Sequence, residues 1–139
     1  MTGYDSGGAQ VTETRAFVTR AHGQGDQMQY TVEHFPNKRA VIHLAGRLDA
    51  HTAGNLRTLL QDTVNTGYVY LVVDLQQVNF VDSSGLSALV SGLRIVKERN
   101  GKLVLAHAAV QTQVALKQTR LNLVFPLYDD INAALKSLS

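Results

Sequence analysis

Asn79-Phe80-Val81-Asp82-Ser83-Ser84-Gly85-Leu86 joins an apolar, strand-like segment to an amphipathic helix and places two hydroxyls at the junction. Upstream, Tyr68-Val69-Tyr70-Leu71-Val72-Val73-Asp74-Leu75 is a near-continuous apolar, β-branched and aromatic run, as expected of a central strand covered on both faces by helices. Downstream, Leu86, Leu89, Val90, Leu93 and Val96 form one helical stripe with Arg94, Lys97 and Glu98 off it, until Asn100-Gly101 ends the pattern. The first N–H groups of a helix lack intrahelical partners and carry the positive end of the macrodipole. A phosphate on Ser83 or Ser84 can therefore be accommodated without unfolding. By pattern alone, however, Asp82-Ser83-Ser84-Gly85 reads first as a capping segment: Asp or Ser accepts N–H bonds, and glycine permits close packing.

The flanks extend the same alternation of strands and helices. Met28 to Phe35 alternates apolar with polar residues, Pro36-Asn37-Lys38 turns the chain, and Ala40-Val41-Ile42-His43-Leu44 is its predicted hairpin partner. Gly46-Arg47-Leu48-Asp49 closes that strand. Leu56, Leu59, Leu60 and Val64 then recur at helical spacing up to Gly67, with Asp49 and Thr52 both candidate N-caps. Lys102 to Ala106 is a further strand, and Val110, Val114, Leu116 and Lys117 lie in a third, short helix. Phe125-Pro126-Leu127-Tyr128 is expected as an edge strand, because Pro126 lacks a ladder donor. Asp129 and Asp130 can cap a terminal helix carrying Ile131, Ala134, Leu135 and Leu138. The predicted order is β-β-α-β-α-β-α-β-α, an α/β sheet covered by helices.

Residues 1–27 are rich in Gly, Thr, Gln and charge, and read as a flexible extension or loosely docked arm, leaving one domain over 28–139. At 139 residues and 45% apolar, the chain suits one ordinary core. Thirteen basic residues against 11 acidic ones are scattered, without a stripe for nucleic acid. No cysteine is present, which removes disulfides, thiolate zinc sites and cysteine nucleophiles. Without a long apolar run or a basic-then-apolar leader, the expectation is a cytoplasmic protein with no membrane span.

Catalytic chemistry finds little support. His22 sits in the extension, His34 and His43 fall within or at the ends of strands, where hydrogen-bonded structural histidines are common, and His51 and His107 occupy loops or helix starts. None accompanies a Gly-x-Ser-x-Gly nucleophile elbow. No His-x-x-x-His, carboxylate cluster or calcium-loop spacing suggests a metal, and neither Gly7-Gly8 nor Gly23-Gln24-Gly25 joins a strand to a helix as a phosphate cradle does. The expectation is a non-enzymatic chain with no metal or cofactor of its own.

Asp74-Leu75 followed by Val78-x-Phe80-Val81-Asp82-Ser83-Ser84-Gly85-Leu86 resembles the signature of the STAS domain family, specifically bacterial anti-sigma factor antagonists. Gly46-Arg47-Leu48-Asp49 resembles that family's Gly-x-Leu-Asp element, and Asn100-Gly101-Lys102-Leu103 fits its layout. The resemblance runs from Met28 to the C-terminus and implies a mixed β-sheet with about four helices packed mainly on one face. It also implies a partner switch: the unphosphorylated antagonist binds an anti-sigma factor that is a serine kinase, releasing the sigma factor. Phosphorylation ends the complex, and a metal-dependent serine phosphatase restores it. ATP belongs to the kinase.

By the same resemblance the phosphorylated residue is the serine directly after the aspartate, Ser83, with Ser84 the fallback. The implied interface comprises Asp82, Ser83, Ser84 and Gly85, flanked by Asp49 and by Ser87 and Arg94 on the exposed side of the helix. A phosphate beside Asp82 would oppose docking by like-charge repulsion and desolvation. One departure concerns the turn after the third helix, where many relatives have Thr/Ser-Gly-Leu and this chain has Thr119-Arg120-Leu121. Arg120 adopts a left-handed turn less cheaply than glycine, so a different local geometry is expected there. The alternative within the family is a ligand sensor or signalling scaffold without a phosphoswitch.

Overall fold

The computed structural model describes residues 16–20 and 28–139. A six-stranded mixed sheet runs in sequence order, β1 (Ala16–Arg20), β2 (Gln29–Phe35), β3 (Arg39–Leu48), β4 (Tyr70–Val81), β5 (Lys102–Ala106) and β6 (Leu127–Tyr128). The first three strands are antiparallel neighbours and the rest add in parallel. Four helices connect or follow them: α1 (Ala53–Asn65), α2 (Ser83–Glu98), α3 (Val110–Gln118) and α4 (Ile131–Ser137). The predicted order therefore gains one strand at its start.

That strand comes from the segment read as an extension. Ala16–Arg20 pairs with Gln29–Glu33 along the otherwise open edge of β2, whose backbone donors and acceptors need partners. The sheet thus begins upstream of Met28 rather than at it. The rest of the 1–27 segment, with His22, lies outside the described residues.

Side-chain alternation divides the interior in two. Leu71, Val73 and Leu75 of β4 join Ile42 and Leu44 of β3, Leu56 and Leu60 of α1, and Leu86, Leu89 and Val96 of α2 in the larger core. Val41, Val72, Val104 and Ala106 face the other way, where Ala134, Leu135 and Leu138 of α4 cover them. Three helices share one face and α4 takes the other, so the central run Leu71–Val73 is fully buried on both. Arg39 ties α4 down by donating from its guanidinium to the Leu135 carbonyl at 3.3 Å.

Several turns use left-handed backbone, some at asparagine, which tolerates it, and some at residues that do not favour it. Asn37 and Lys38 are left-handed (φ 66° and 63°) in the hairpin turn, and the Lys38 carbonyl accepts from both Val69 and Tyr70, pinning the hairpin to the start of β4. Asn100 (φ 61°) ends α2, and Gly101 donates to the Val96 carbonyl at 2.7 Å. Arg120 is left-handed at φ 64° and ψ 13°. The turn keeps the geometry glycine would adopt and places the strain on an arginine. The last strand is shorter than Phe125–Tyr128: Phe125 is fully buried and Pro126 only accepts, from Leu105.

Candidate functional site at the ends of β3 and β4

The parallel pair β3–β4 is irregular where it approaches its C-terminal end. Six residues of β3 (His43–Leu48) run beside eight of β4 (Asp74–Val81), with register shifts between His43 and Ala45 and between Gly46 and Arg47. Each shift reverses the side-chain phase of β4. Leu75 is in the larger core, the first shift brings Val78 into it, and the second brings Val81 against it while Phe80 is turned outward. The two shifts therefore decide which way the chain faces when it reaches Asp82.

Asp82 is extended (φ −113°, ψ −170°) and caps α2, its Oδ1 accepting from the Ser84 N–H at 2.8 Å and the Gly85 N–H at 3.1 Å. Its own N–H donates to the Leu48 carbonyl at 3.0 Å. Gly85 packs so closely on the end of β3 that an added Cβ would lie 2.7 Å from the Cβ of Leu48, which explains the glycine by steric space. Because the aspartate does the capping, the serine hydroxyls are left out of it. Ser83 is exposed, Ser84 is half-buried, and among the described residues neither hydroxyl is hydrogen-bonded.

The β3–α1 turn forms the facing wall. Asp49 does not cap α1 with its side chain; its Oδ1 accepts from the His51 N–H at 2.9 Å and its Oδ2 from Arg47 Nε at 3.2 Å. Thr52 stands at the cap position of α1 without capping, because its buried hydroxyl accepts from the Asp49 N–H and donates to the Arg47 carbonyl at 2.8 Å. Despite a desolvation contribution in the other direction, the Arg47 guanidinium and the N–H groups of His51 and Thr52 hold the Asp49 carboxyl below the usual carboxylate range. Arg47 also lies over the Phe80 ring, 4.0 Å from its centroid. Arg47, Asp49, Ala50, His51, Thr52, Phe80 and Asp82 line one open cleft of about 430 Å³, directly before Ser83.

The structure thus brings Asp49 and Asp82 to one cleft; Ser83 follows Asp82 directly and is exposed, Ser84 is half-buried, and Gly85 is buried against Leu48 rather than open to a partner. Ser87 and Arg94 are exposed on α2. At about 100° per residue they fall within about 40° of Ser83 on the helix, although Arg94 is about 16 Å along the axis. Arg47, His51 and Phe80 were not anticipated as site residues. The outward position of Phe80 depends on the second register shift, which sequence alternation does not reveal.

A second polar cluster lies on the α4 face of the sheet. His43 on β3 is opposite Asp74 on β4, and its Nδ1 is 2.6 Å from Asp74 Oδ2 while its Nε2 is 2.5 Å from Glu33 Oε1 on β2. Asp74 Oδ1 also accepts from His107 Nδ1 at 2.8 Å and from the Gln76 N–H at 3.1 Å. Burial alone would raise the Asp74 carboxyl, but donation from His43, His107 and Gln76 brings it down to about 2. The hydrogen bond to Asp74 raises His43 above the ordinary imidazole value of 6.5 against the opposing effect of burial, with Glu33 adding to the rise. A carboxylate inside an otherwise apolar strand is the signal that could have pointed here, since it needs donors from somewhere. His34 instead packs against Tyr68, ring centroids 4.4 Å apart.

A three-helix face, a separately covered second face and a capped serine pair at the C-terminal end of β4 define a STAS fold. The STAS domain family model matches residues 29–134, and the chain belongs to that family. Among curated proteins it is similar to an anti-sigma F factor antagonist of Paenibacillus polymyxa, 24% identical over 67% of this chain and 81% of the relative. Among solved structures it is similar to an anti-sigma factor antagonist from Mycobacterium paratuberculosis, with 26% identity, a TM-score of 0.73, and coverage of 83% of this chain and 97% of the other. The phosphorylated form of the Bacillus cell fate determinant SpoIIAA shares the fold at a TM-score of 0.64 and 18% identity, covering 79% and 99% of the two chains. Among the described residues no helix is long and apolar enough to cross a membrane.

Proposed function

We propose that this chain is an anti-sigma factor antagonist that binds a cognate anti-sigma factor when unphosphorylated, releasing the sigma factor, and that phosphorylation of Ser83 switches it off. The observation carrying this reading is the division of labour at the start of α2. Asp82 satisfies the free N–H groups, so Ser83 presents an exposed, uncommitted hydroxyl. The contact surface comprises Asp49, Asp82, Ser83, Ser84, Gly85, Ser87 and Arg94. A phosphate of about −1.5 to −2 charge at Ser83 would stand beside Asp82 and across the cleft from Asp49, opposing a partner that must cover both.

The partner in this reading is itself the serine kinase and brings the ATP, a metal-dependent serine phosphatase reverses the modification, and the exchange takes place in the cytoplasm. The chain acts by binding and carries no catalytic residue or cofactor. Support comes from the names of its relatives and from the phosphorylated state of one protein that shares its fold. The test is incubation with the anti-sigma kinase and ATP, followed by mapping of the phosphate by mass spectrometry. Modification at Ser83, or at the half-buried fallback Ser84, is expected; absence from both would sink the proposal. Partner binding unchanged by Ser83→Asp would instead favour a sensor or scaffold without a phosphoswitch. Labelling of Ser83 by a fluorophosphonate would point to a hydrolase.

A further inference from the structure

We propose that the Glu33–His43–Asp74–His107 chain is a proton-operated brace on the switch segment: protonated His43 holds the first β4 register shift in place, and loss of its proton loosens the segment that presents Ser83. The functional consequence rests on the phosphoswitch reading of Ser83; the mechanical coupling does not.

The geometry supplies the sensor. Both ring nitrogens of His43 stand at hydrogen-bond distance from carboxylate oxygens, 2.6 Å to Asp74 and 2.5 Å to Glu33. An ionised carboxylate only accepts, so both contacts are satisfied together only by an imidazolium. A neutral ring donates once and sets its other lone pair against a carboxylate oxygen. Deprotonation therefore turns one attraction into a repulsion at the junction of β2, β3 and β4.

The geometry also supplies the transmission. Asp74 Oδ1 takes the Gln76 N–H at the point where the β3–β4 register slips. That shift sets the phase of Val78 and, with the second one, of Val81 and Asp82. Asp74 thus acts on Ser83 as a positioning residue through the strand, and His43 and His107 set its position.

Other groups on this side of the sheet are engaged elsewhere or face solvent. Arg39, further along β3, donates to the carbonyls of Pro36 and Leu135. Asp130 caps α4 through the Ala133 N–H, Lys136 on α4 is exposed, and Asp129 after β6 is exposed and lines a cleft with His107. Tyr70 of β4 and Tyr128 of β6 pack on the smaller core. On β1, Ala16 stands opposite Glu33 in the pairing. Among the described residues, the charged partners of His43 are Glu33 and Asp74.

The test is an NMR titration of the whole chain in a His51→Gln background, because His51 lines the cleft beside Asp82. The His43 ring and the Ser83, Ser84 and Gly85 amides should titrate with one midpoint above 6.5. In Glu33→Gln, which removes one of the two carboxylates, ring and amide midpoints should fall together by up to about one unit. In His43→Gln the amide titration should disappear. Amides that stay still while His43 titrates, a midpoint indifferent to Glu33→Gln, or an amide titration surviving His43→Gln would each overturn the brace. No kinase enters these readings, so failure of Ser83 to accept phosphate would remove the switch reading and leave the brace standing, and the converse holds.

Discussion

Asp82 and Asp74 sit on the same stretch of chain and use the same carboxylate in opposite ways. Asp82 is half-buried and spends its acceptor capacity on two backbone N–H groups of α2, leaving side chains around it open to solvent. Asp74 is 7% exposed and accepts from two imidazoles as well as from Gln76, cross-linking segments that are far apart in sequence. The first arrangement terminates local structure and exposes a hydroxyl. The second fastens tertiary structure and hides its charge. A partner surface suits the first kind of aspartate, because capping leaves Ser83 free, whereas stability suits the second.

The contrast is sharpest in stability. Asp74→Ala should destabilise the fold by about 3 kcal/mol, since it leaves His43, His107 and the Gln76 N–H without their acceptor in a largely buried setting. Urea denaturation of the variant measures this, and a loss no larger than that of Asp82→Ala would erase the distinction.

Gly85→Ala should cost about 2 kcal/mol, because a Cβ there meets Leu48 backbone that cannot yield as a flexible side chain does. The same melts would show it. Asp82→Ala should cost about 1 kcal/mol, the ordinary value of an N-cap. Ser83→Ala should stay within about 0.5 kcal/mol of the parent while abolishing phosphate incorporation, as expected of an exposed group with no structural bond. Arg120→Gly should stabilise by about 0.5 kcal/mol, the relief of left-handed strain being partly offset by the entropy of glycine.

The pH dependence tests the Asp74 side of this comparison. The carboxyl of Asp74 is lowered to about 2 from 3.8, so its contribution is present above 3.8 and is lost as pH falls toward about 2. His43 is raised from 6.5, so its contribution is complete below 6.5 and is lost as pH rises through the elevated value. The difference in stability between the parent and Asp74→Ala should therefore be greatest between pH 3.8 and 6.5. Thermal melts across that window check the sign, and a difference that grows above it would contradict the His43 assignment.

Much of this was legible along the chain. The central strand, the stripe of α2, the turn at Pro36-Asn37-Lys38 and the edge position of Leu127-Tyr128 each follow from local periodicity or from a residue's backbone preference. The capping role within Asp82-Ser83-Ser84-Gly85 was also legible, though not which side chain would take it. Asp49 shows where local reading fails. As a short acidic residue before a helix it looked like a cap, yet Arg47 and the His51 N–H claim its carboxylate. The strand at Ala16–Arg20 was missed because its short apolar stretch, Ala16-Phe17-Val18, lies within a segment rich in Gly, Thr, Gln and charge, and only edge pairing to β2 makes it a strand.

The Asn79–Leu86 junction by itself determined that a strand hands over to a helix at two serines, because capping chemistry and the change of hydrophobic period act over only a few residues. Tertiary structure alone decided that Asp82 would cap so that Ser83 stands open, that Phe80 would turn outward beneath Arg47, and that Asp74 would meet histidines 31 and 33 residues away. Those outcomes depend on the register between β3 and β4, and a shift of one residue there exchanges the faces of every side chain beyond it.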